Sequence, residues 1–403
     1  MIANATFKQI EVSYFRHEFI KTYLYNLHKG SIVHPEIKVT RLLARESIST
    51  GRLRPITSSS SKGDCEHVVL DSSIEGTILF QNARYEIVLA VIKDFSDIYY
   101  TVEALGVDPE SLIPAALLDL LVKEAIYTSL YRNKFLNVIP IDVRGHTSPR
   151  IEIEIAEIEK TSLNEVFLPA DVYEALDLFV ETLKNSRRVG HALRYLLCGK
   201  PGTAKTKAIR AIANEVKGLG TIIFTNGSDD RLESVFELAK NFSPVVICID
   251  DIDFLVGNRE RNTDRYLLAK LLQRLDGFIG SDVFVLATTN DKTLVDIAAS
   301  RPGRFDAILD FEAIGAGYYI PLIKSKTSSE KIISLFDETV LLSLEARKVT
   351  GAFVANLVKH LEIISMLEKR ELDIDYVLTK IDQLDTGFYR NTSKSKGSIG
   401  FSN

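Results

Sequence analysis

An α/β fold built on a parallel sheet is what this sequence predicts, and three observations predict it. A glycine-rich turn, Gly199-Lys-Pro-Gly-Thr-Ala-Lys-Thr206, lies between a strand-like apolar run at 195–198 and a helix-forming run at 205–216. Strand-like and helix-like runs then alternate, with strands expected at 195–198, 221–224, 245–249, 284–287 and 308–311. The third of these strands ends on two carboxylates, Asp250 and Asp251. In open α/β sheets, ligands bind outside the carboxyl ends of the strands.

The turn carries the chemistry of phosphate binding. A glycine-rich turn opening a helix lets backbone N–H groups curl around an anion. Lys205 neutralises the β and γ phosphates, and the hydroxyl of Thr206 can ligate Mg²⁺. These features make a P-loop nucleotide site spanning Gly199, Lys200, Pro201, Gly202, Thr203, Ala204, Lys205, Thr206 and Lys207. Ala204 stands where the pattern has its second glycine. A methyl there is tolerated unless the backbone needs φ > 0.

The remaining chain divides by pattern. A length of 403 residues suits two or three domains. Residues 1–160 read as an α+β domain, with a helix at 7–27, a polar linker at 57–64 and strands at 67–70, 76–80, 85–92, 98–102 and 151–155. A further helix is expected at 112–131. The nucleotide-binding core is expected at 161–315. Beyond it the pattern is all-helical over 316–385, with helices at 328–336, 338–347, 351–369 and 373–384, and a disordered tail at 386–403.

Composition excludes several classes. The apolar fraction is 46% and the charged fraction 26%, as in ordinary globular proteins. A net charge of -5 counts against a nucleic-acid surface spread over the molecule. The three cysteines, Cys65, Cys198 and Cys248, are far apart and form no CxxC pair, so neither a disulfide nor a zinc framework is expected. His17-Glu18 opens like a zinc-protease helix, but Lys21 occupies the place of the second histidine. No segment reaches the length of a membrane span and no signal-peptide core is present, so a cytoplasmic location is expected.

Downstream motifs complete a nucleotide site. An acidic strand tip such as Asp250-Asp251 can hold Mg²⁺ through its water shell and polarise an attacking water. Ala287-Thr-Thr-Asn290 ends the next strand with an amide able to orient that water. An arginine beside a Pro-Gly turn, as in Arg301-Pro-Gly-Arg-Phe-Asp306, suits an arginine finger reaching a neighbouring subunit's nucleotide.

On these residues, with Ile249-Asp-Asp-Ile-Asp-Phe254 and Leu275-Asp-Gly-Phe278, the chain resembles the AAA ATPases, which include Cdc48-like, FtsH-like and proteasomal unfoldases. The resemblance covers about 165–385. It implies an ATPase module with a five-stranded core sheet and a helical lid, assembling as a homo-oligomeric ring, usually a hexamer. By position it gives Asp250 the Walker B metal role, Asp251 the catalytic acid, Asn290 sensor 1 and Arg304 the finger. Gly351 and Ala352 match a Gly-Ala pair bordering adenine.

Four departures accompany the matches. Asp251 replaces the usual glutamate, and Ala307 replaces a second finger arginine. Ala204 is shared with a GDPGTAKS-like loop of minichromosome-maintenance helicases. The segment Phe224-Thr-Asn-Gly-Ser-Asp-Asp-Arg-Leu232 lacks an aromatic pore loop and is similar instead to a mitochondrial AAA translocase of a folded iron–sulfur protein. The reading that follows is an ATP- and Mg²⁺-dependent machine remodelling a protein partner recognised by its N-terminal domain. A slow ATP-gated scaffold and a nucleic-acid motor are the alternatives.

Overall fold

The structure is a computed structural model that describes residues 7–45, 73–94, 97–107, 114–140, 151–158, 160–226, 232–253, 283–291, 305–367 and 371–393. In chain order the N-terminal part holds β1 (Phe7–Val12), α1 (Tyr14–Lys29), β2 (Ile37–Arg45), β3 (Ser73–Phe80), β4 (Ala83–Asp94), β5 (Asp97–Gly106), α2 (Pro114–Tyr127), β6 (Phe135–Pro140) and β7 (Ile151–Ile155). There follow α3 (Ala170–Lys184), α4 (Ser186–Val189), β8 (Arg194–Gly199), α5 (Lys205–Glu215), β9 (Thr221–Asn226), α6 (Leu232–Ala239), β10 (Val245–Asp250), β11 (Val283–Thr289) and β12 (Ala307–Phe311). The expected strand at 67–70, the linker at 57–64 and the motifs at 275–278 and 301–304 lie outside the described residues.

The chain forms two compact units. The first joins Met1–Ile158, Thr182–Leu193 and Val216–Leu286. Its N-terminal part is an antiparallel sheet in the order β1-β5-β4-β3-β2. Along β4, Tyr85, Ile87 and Leu89 are buried while Arg84 and Glu86 are exposed, the period-2 pattern of a sheet with one wet face. The β3–β4 turn uses Gln81 and Asn82 at φ 50 and 63, the two positive φ values that a tight hairpin requires. Helix α1 packs on this sheet and on α2, burying Phe15, Phe19, Ile20, Tyr23 and Leu24. The expected helix at 7–27 is in fact a strand followed by a helix. Phe7–Val12 pairs with β5, and the Ser13 hydroxyl accepts the Arg16 N–H to start α1. His17 is fully buried against the Tyr100 ring.

The second sheet has the order β12-β8-β11-β10-β9-β6-β7. The α/β class expected from the alternation is therefore present, and the sheet is wider than five strands. β6 pairs in parallel with β9, and β7 closes the edge antiparallel to β6. Both strands fall within the stretch expected to form a separate domain at 1–160. The physical reason is visible in Leu136, Val138 and Ile153, which are buried and need a hydrophobic layer.

Further contacts fasten the N-terminal elements to β9 and to the α6–β10 connection. Thr221 Oγ1 accepts the Asn133 N–H at 2.9 Å, and Lys134 O accepts the Ile222 N–H at 2.9 Å. Asn241 Oδ1 accepts from Arg16 Nε at 2.9 Å. The Asn241 Nδ2 group donates to Glu237 O at 2.9 Å and Leu238 O at 3.2 Å, closing the end of α6. The rings of Phe19 and Phe242 lie 5.8 Å apart.

The second unit joins Glu159–Glu181, Arg194–Glu215 and Ala287–Asn403. Its C-terminal part is helical: Tyr319–Lys326, Glu330–Ile333, Glu338–Ala346, Gly351–Met366 and Ile374–Ser393. The Gly351–Met366 helix buries Val354, Leu357, Val358 and Leu361, the i, i+3, i+4, i+7 stripe of a core-facing helix. Helix Tyr319–Lys326 is additional to the expected set. The last helix runs to Ser393, past the point at 386 where a disordered tail was expected.

Asn241→Ala removes the partner of Arg16 together with the α6 terminus cap. It is expected to destabilise the protein by about 1–3 kcal/mol, read as a lower urea midpoint at unchanged slope.

Candidate nucleotide site

The loop between β8 and α5 is shaped by close approach and by left-handed backbone. Every residue of β8 is buried. At its end, a Cβ on Gly199 would stand 2.2 Å from Phe311 O on the paired strand β12, so only glycine fits. The chain then turns through Gly202 at φ +83 and Ala204 at φ +74. Thr203 is buried, and its Oγ1 donates to Lys200 O at 2.8 Å. Ala204 O accepts the Ala208 N–H at 2.9 Å as α5 begins.

The condition attached to Ala204 is therefore met: its backbone is left-handed. An L-residue with a Cβ pays about 1–2 kcal/mol there, so the alanine is accommodated at a cost rather than neutrally.

The loop brings Lys205 and Asn290 together. Lys205 is only 6% exposed, and its Nζ donates to Gly199 O at 2.6 Å, Lys200 O at 3.1 Å and Asn290 Oδ1 at 2.7 Å. Asn290 follows β11, whose last two residues, Thr288 and Thr289, are fully buried. The Thr289 hydroxyl bonds the backbone of Asp291 on the far side of Asn290.

The N-terminus of the Gly351–Met366 helix meets the same loop. Ala352 N–H donates to Gly202 O at 3.2 Å, and a Cβ on Gly202 would lie 2.8 Å from the Ala352 Cβ. Thr350 caps the helix through its side-chain oxygen. Gly351 has only ordinary contacts around its Cα, so nothing steric demands glycine there.

Lys207 turns to the segment before α3, where its Nζ donates to Glu165 O at 3.1 Å. The same segment is tied to α5 by Glu215, whose Oε1 accepts the Leu163 N–H at 2.8 Å, and by Asn214 Nδ2 donating to Thr161 O at 3.3 Å. Phe167 in this segment faces Tyr318 with ring centroids 6.0 Å apart.

In the first unit, β10 carries a buried Val245–Ile249 run to Asp250 at the strand end, in register with Asn226 of β9. Cys248 is packed in this strand, and burial, then the neighbouring Asp250 charge, push its thiol well above the usual range. Asp251 takes φ 53. Asp is among the few side chains enriched in left-handed backbone. That gives a local reason for the shorter acid in place of glutamate.

Arg304 lies outside the described residues, but its neighbour Asp306 has a defined structural part. Asp306 Oδ2 accepts the Arg194 N–H at 2.8 Å, and Asp306 N–H donates to Arg194 O at 2.8 Å. This reciprocal pair sets the start of β12 beside β8. Burial, then the Asp306 charge, raise the Tyr195 phenol pKa. Sequence reasoning missed the parts played by Thr289, Thr350 and Asp306. The Thr-Thr pair closing an otherwise apolar strand was the available signal for the first.

Two substitutions separate steric need from backbone need in the loop. Gly199→Ala is expected to cost about 3 kcal/mol by overpacking against Phe311. Ala204→Gly is expected to gain about 0.5–1 kcal/mol by relieving the left-handed strain, after its unfolded-state entropy is counted. Thermal or urea denaturation of both variants checks the opposite signs.

Comparison with known proteins agrees with this geometry. Residues 195–313 match the family model described as "ATPase family associated with various cellular activities (AAA)". The chain is 29% identical over 267 residues to the ATP-dependent zinc metalloprotease FtsH 2 of Thermoanaerobacter sp. (strain X514), covering 60% of this chain and 50% of that protein. It is 30% identical over 228 residues to the proteasome-activating nucleotidase of Methanococcus vannielii, covering 52% and 54%. It is 41% identical over 123 residues to the cell division cycle protein 48 homolog of Archaeoglobus fulgidus, covering 28% and 17%. The chain thus spans about half, or less, of the length of these relatives. A glycine-rich loop closing on a buried lysine, at the strand ends of an α/β sheet and within the matched segment, identifies residues 195–313 as an AAA ATPase domain.

Proposed function

We propose that this protein binds and hydrolyses ATP with Mg²⁺ and uses the cycle, as a ring of like subunits, to remodel or move a protein partner. The observation that carries the reading is the convergence of Lys205 Nζ and Asn290 Oδ1 at 2.7 Å beside the Gly199–Lys200 carbonyls. A loop lysine and a strand-end amide meeting at one point is what phosphoryl transfer needs for charge neutralisation and water orientation.

The residues take these parts in the proposal. Backbone N–H groups of the loop from Gly199 to Thr206 cradle phosphate oxygens, and Lys205 neutralises their charge. Asp251 accepts a proton from the attacking water, Asn290 orients that water, and Arg304 of one subunit stabilises charge at its neighbour. Gly351 and Ala352 border the base. Thr206 and Asp250 offer hard oxygen donors suited to Mg²⁺, which keeps several waters and is held by one or two protein groups together with phosphates. Bound Mg²⁺ would offset the charge developing on the phosphates.

The domain assignments belong to the same reading: 1–160 as the partner-recognition region, 161–315 as the ATPase core and 316–385 as the lid. β9 ends at Asn226 and α6 begins at Leu232, so the connection that lies outside the described residues is short in sequence and carries no aromatic residue for a pore loop. This favours action on a partner without threading an extended chain. No helix among the described residues is long and apolar enough to cross a membrane. The expected cytoplasmic location stays part of this proposal. A slow, ATP-gated scaffold is the second reading. It is motivated by the shorter acid at Asp251 in place of glutamate and by Ala204 in place of the loop's second glycine.

ATP turnover per subunit, measured across protein concentration with mass recorded alongside, tests the proposal. Turnover is expected to rise as the oligomer forms. Arg304→Ala is expected to lose roughly a thousandfold in turnover while still binding ATP. Concentration-independent turnover, or a fully active Arg304→Ala, contradicts the ring machine. Rings that bind ATP and barely turn over favour the scaffold.

A further inference from the structure

We propose that Thr289 is a positioning residue that sets the Asn290 amide against Lys205. The proposal rests on the reading of Asn290 as a group acting at the nucleotide. Thr289 closes β11 and is fully buried. A hydroxyl in such a place costs desolvation unless it is bonded, and a valine would fill the same shape without that cost. The hydroxyl has a specific use here. Its Oγ1 accepts the Asp291 N–H at 3.0 Å and donates to Asp291 O at 3.3 Å.

Both bonds span Asn290. They tie the backbone before it to the backbone after it, so the residue between cannot change its main-chain direction without breaking them. The strand therefore ends in a fixed turn rather than a loose exit. Asn290 leaves that turn with Oδ1 at 2.7 Å from Lys205 Nζ. With Oδ1 facing the ammonium, the amide presents its Nδ2 donor on the other side. That is the polarity required to meet a phosphate oxygen or the oxygen of a water. A rotated amide would point an acceptor there instead. Thr289 thus acts through Asn290 and touches no reactant itself.

Two of the three oxygens bonded to Lys205 come from the phosphate loop itself, Gly199 O and Lys200 O, so the lysine keeps those partners when the turn is disturbed. The expected signature is a fall in turnover with little change in ATP affinity.

The test is a double-mutant cycle on steady-state ATP turnover, with kcat and KM separated. Thr289→Val keeps the shape and removes the hydroxyl. It is expected to lower kcat on the order of tenfold, as loss of an orienting outer partner does, with KM little changed. Thr289→Ser keeps the hydroxyl and is expected to recover the larger part of the loss. In an Asn290→Ala background, Thr289→Val is expected to add no further loss. Thr289→Ala removes the same hydroxyl without placing a methyl against Asp291 O, and it enters the same cycle should the valine variant fail to fold. The proposal is overturned if the hydroxyl-free variants keep wild-type kcat, if they lose the same factor with and without Asn290, or if serine fails to restore turnover. An Asn290→Ala variant that turns over like wild type refutes the role of Asn290 instead.

Discussion

A buried ammonium that must be surrounded by oxygen is the constraint on which the site depends. Lys205 stands at the start of α5 with 6% exposure, and a charge so placed is tolerated only when bonded. The loop supplies two of the oxygens from its own backbone, Gly199 O and Lys200 O, and β11 supplies the third through Asn290. Each oxygen has a structural cause. Gly199 can sit against Phe311 because it lacks a Cβ. Lys200 O is turned inward by the Thr203 hydroxyl. Gly202 and Ala204 take up the left-handed backbone that folds the carbonyls back toward the lysine.

The same loop is the meeting point of the other parts of its unit. The Gly351–Met366 helix reaches it through Ala352 N–H on Gly202 O. The segment before α3 clasps α5 through Lys207, Asn214 and Glu215. A change in loop shape would therefore be felt by the helical part and by the segment leading in from the N-terminal region. In the first unit, Asn241 caps α6 and holds Arg16 of α1, so an N-terminal helix bears on the connection that leads into the acidic strand β10.

Much of this was legible in the sequence because the informative residues are local. The buried runs of β8 and β10 are continuous apolar stretches, and the glycines, lysine and carboxylates at their ends fall at fixed offsets. What escaped was decided by partners distant in the chain. Residues 7–12 read as helix because aromatics at mixed spacing fit a helix, and only pairing with β5 makes them a strand. β6 is short and ends in Pro140, and its identity comes from β9 beside it. The last helix continues to Ser393 through Gly387, a poor helix former, after which the sequence shows no sustained apolar stripe. Ala204 was a conditional case, since its tolerance hung on a φ angle that composition does not encode. Thr289 was legible only as part of a polar strand end, and its role appears once its hydroxyl is seen on the backbone two residues on.

Equilibrium binding of ATP with Mg²⁺ to the wild-type protein and to Lys205→Ala is the decisive test of the loop around Lys205 as a nucleotide phosphate site. The wild type is expected to bind saturably and the variant to lose roughly tenfold to a hundredfold in affinity, the cost of a charge-assisted contact removed. Equal affinity in the two proteins, or no binding by either while both remain folded, would contradict that reading.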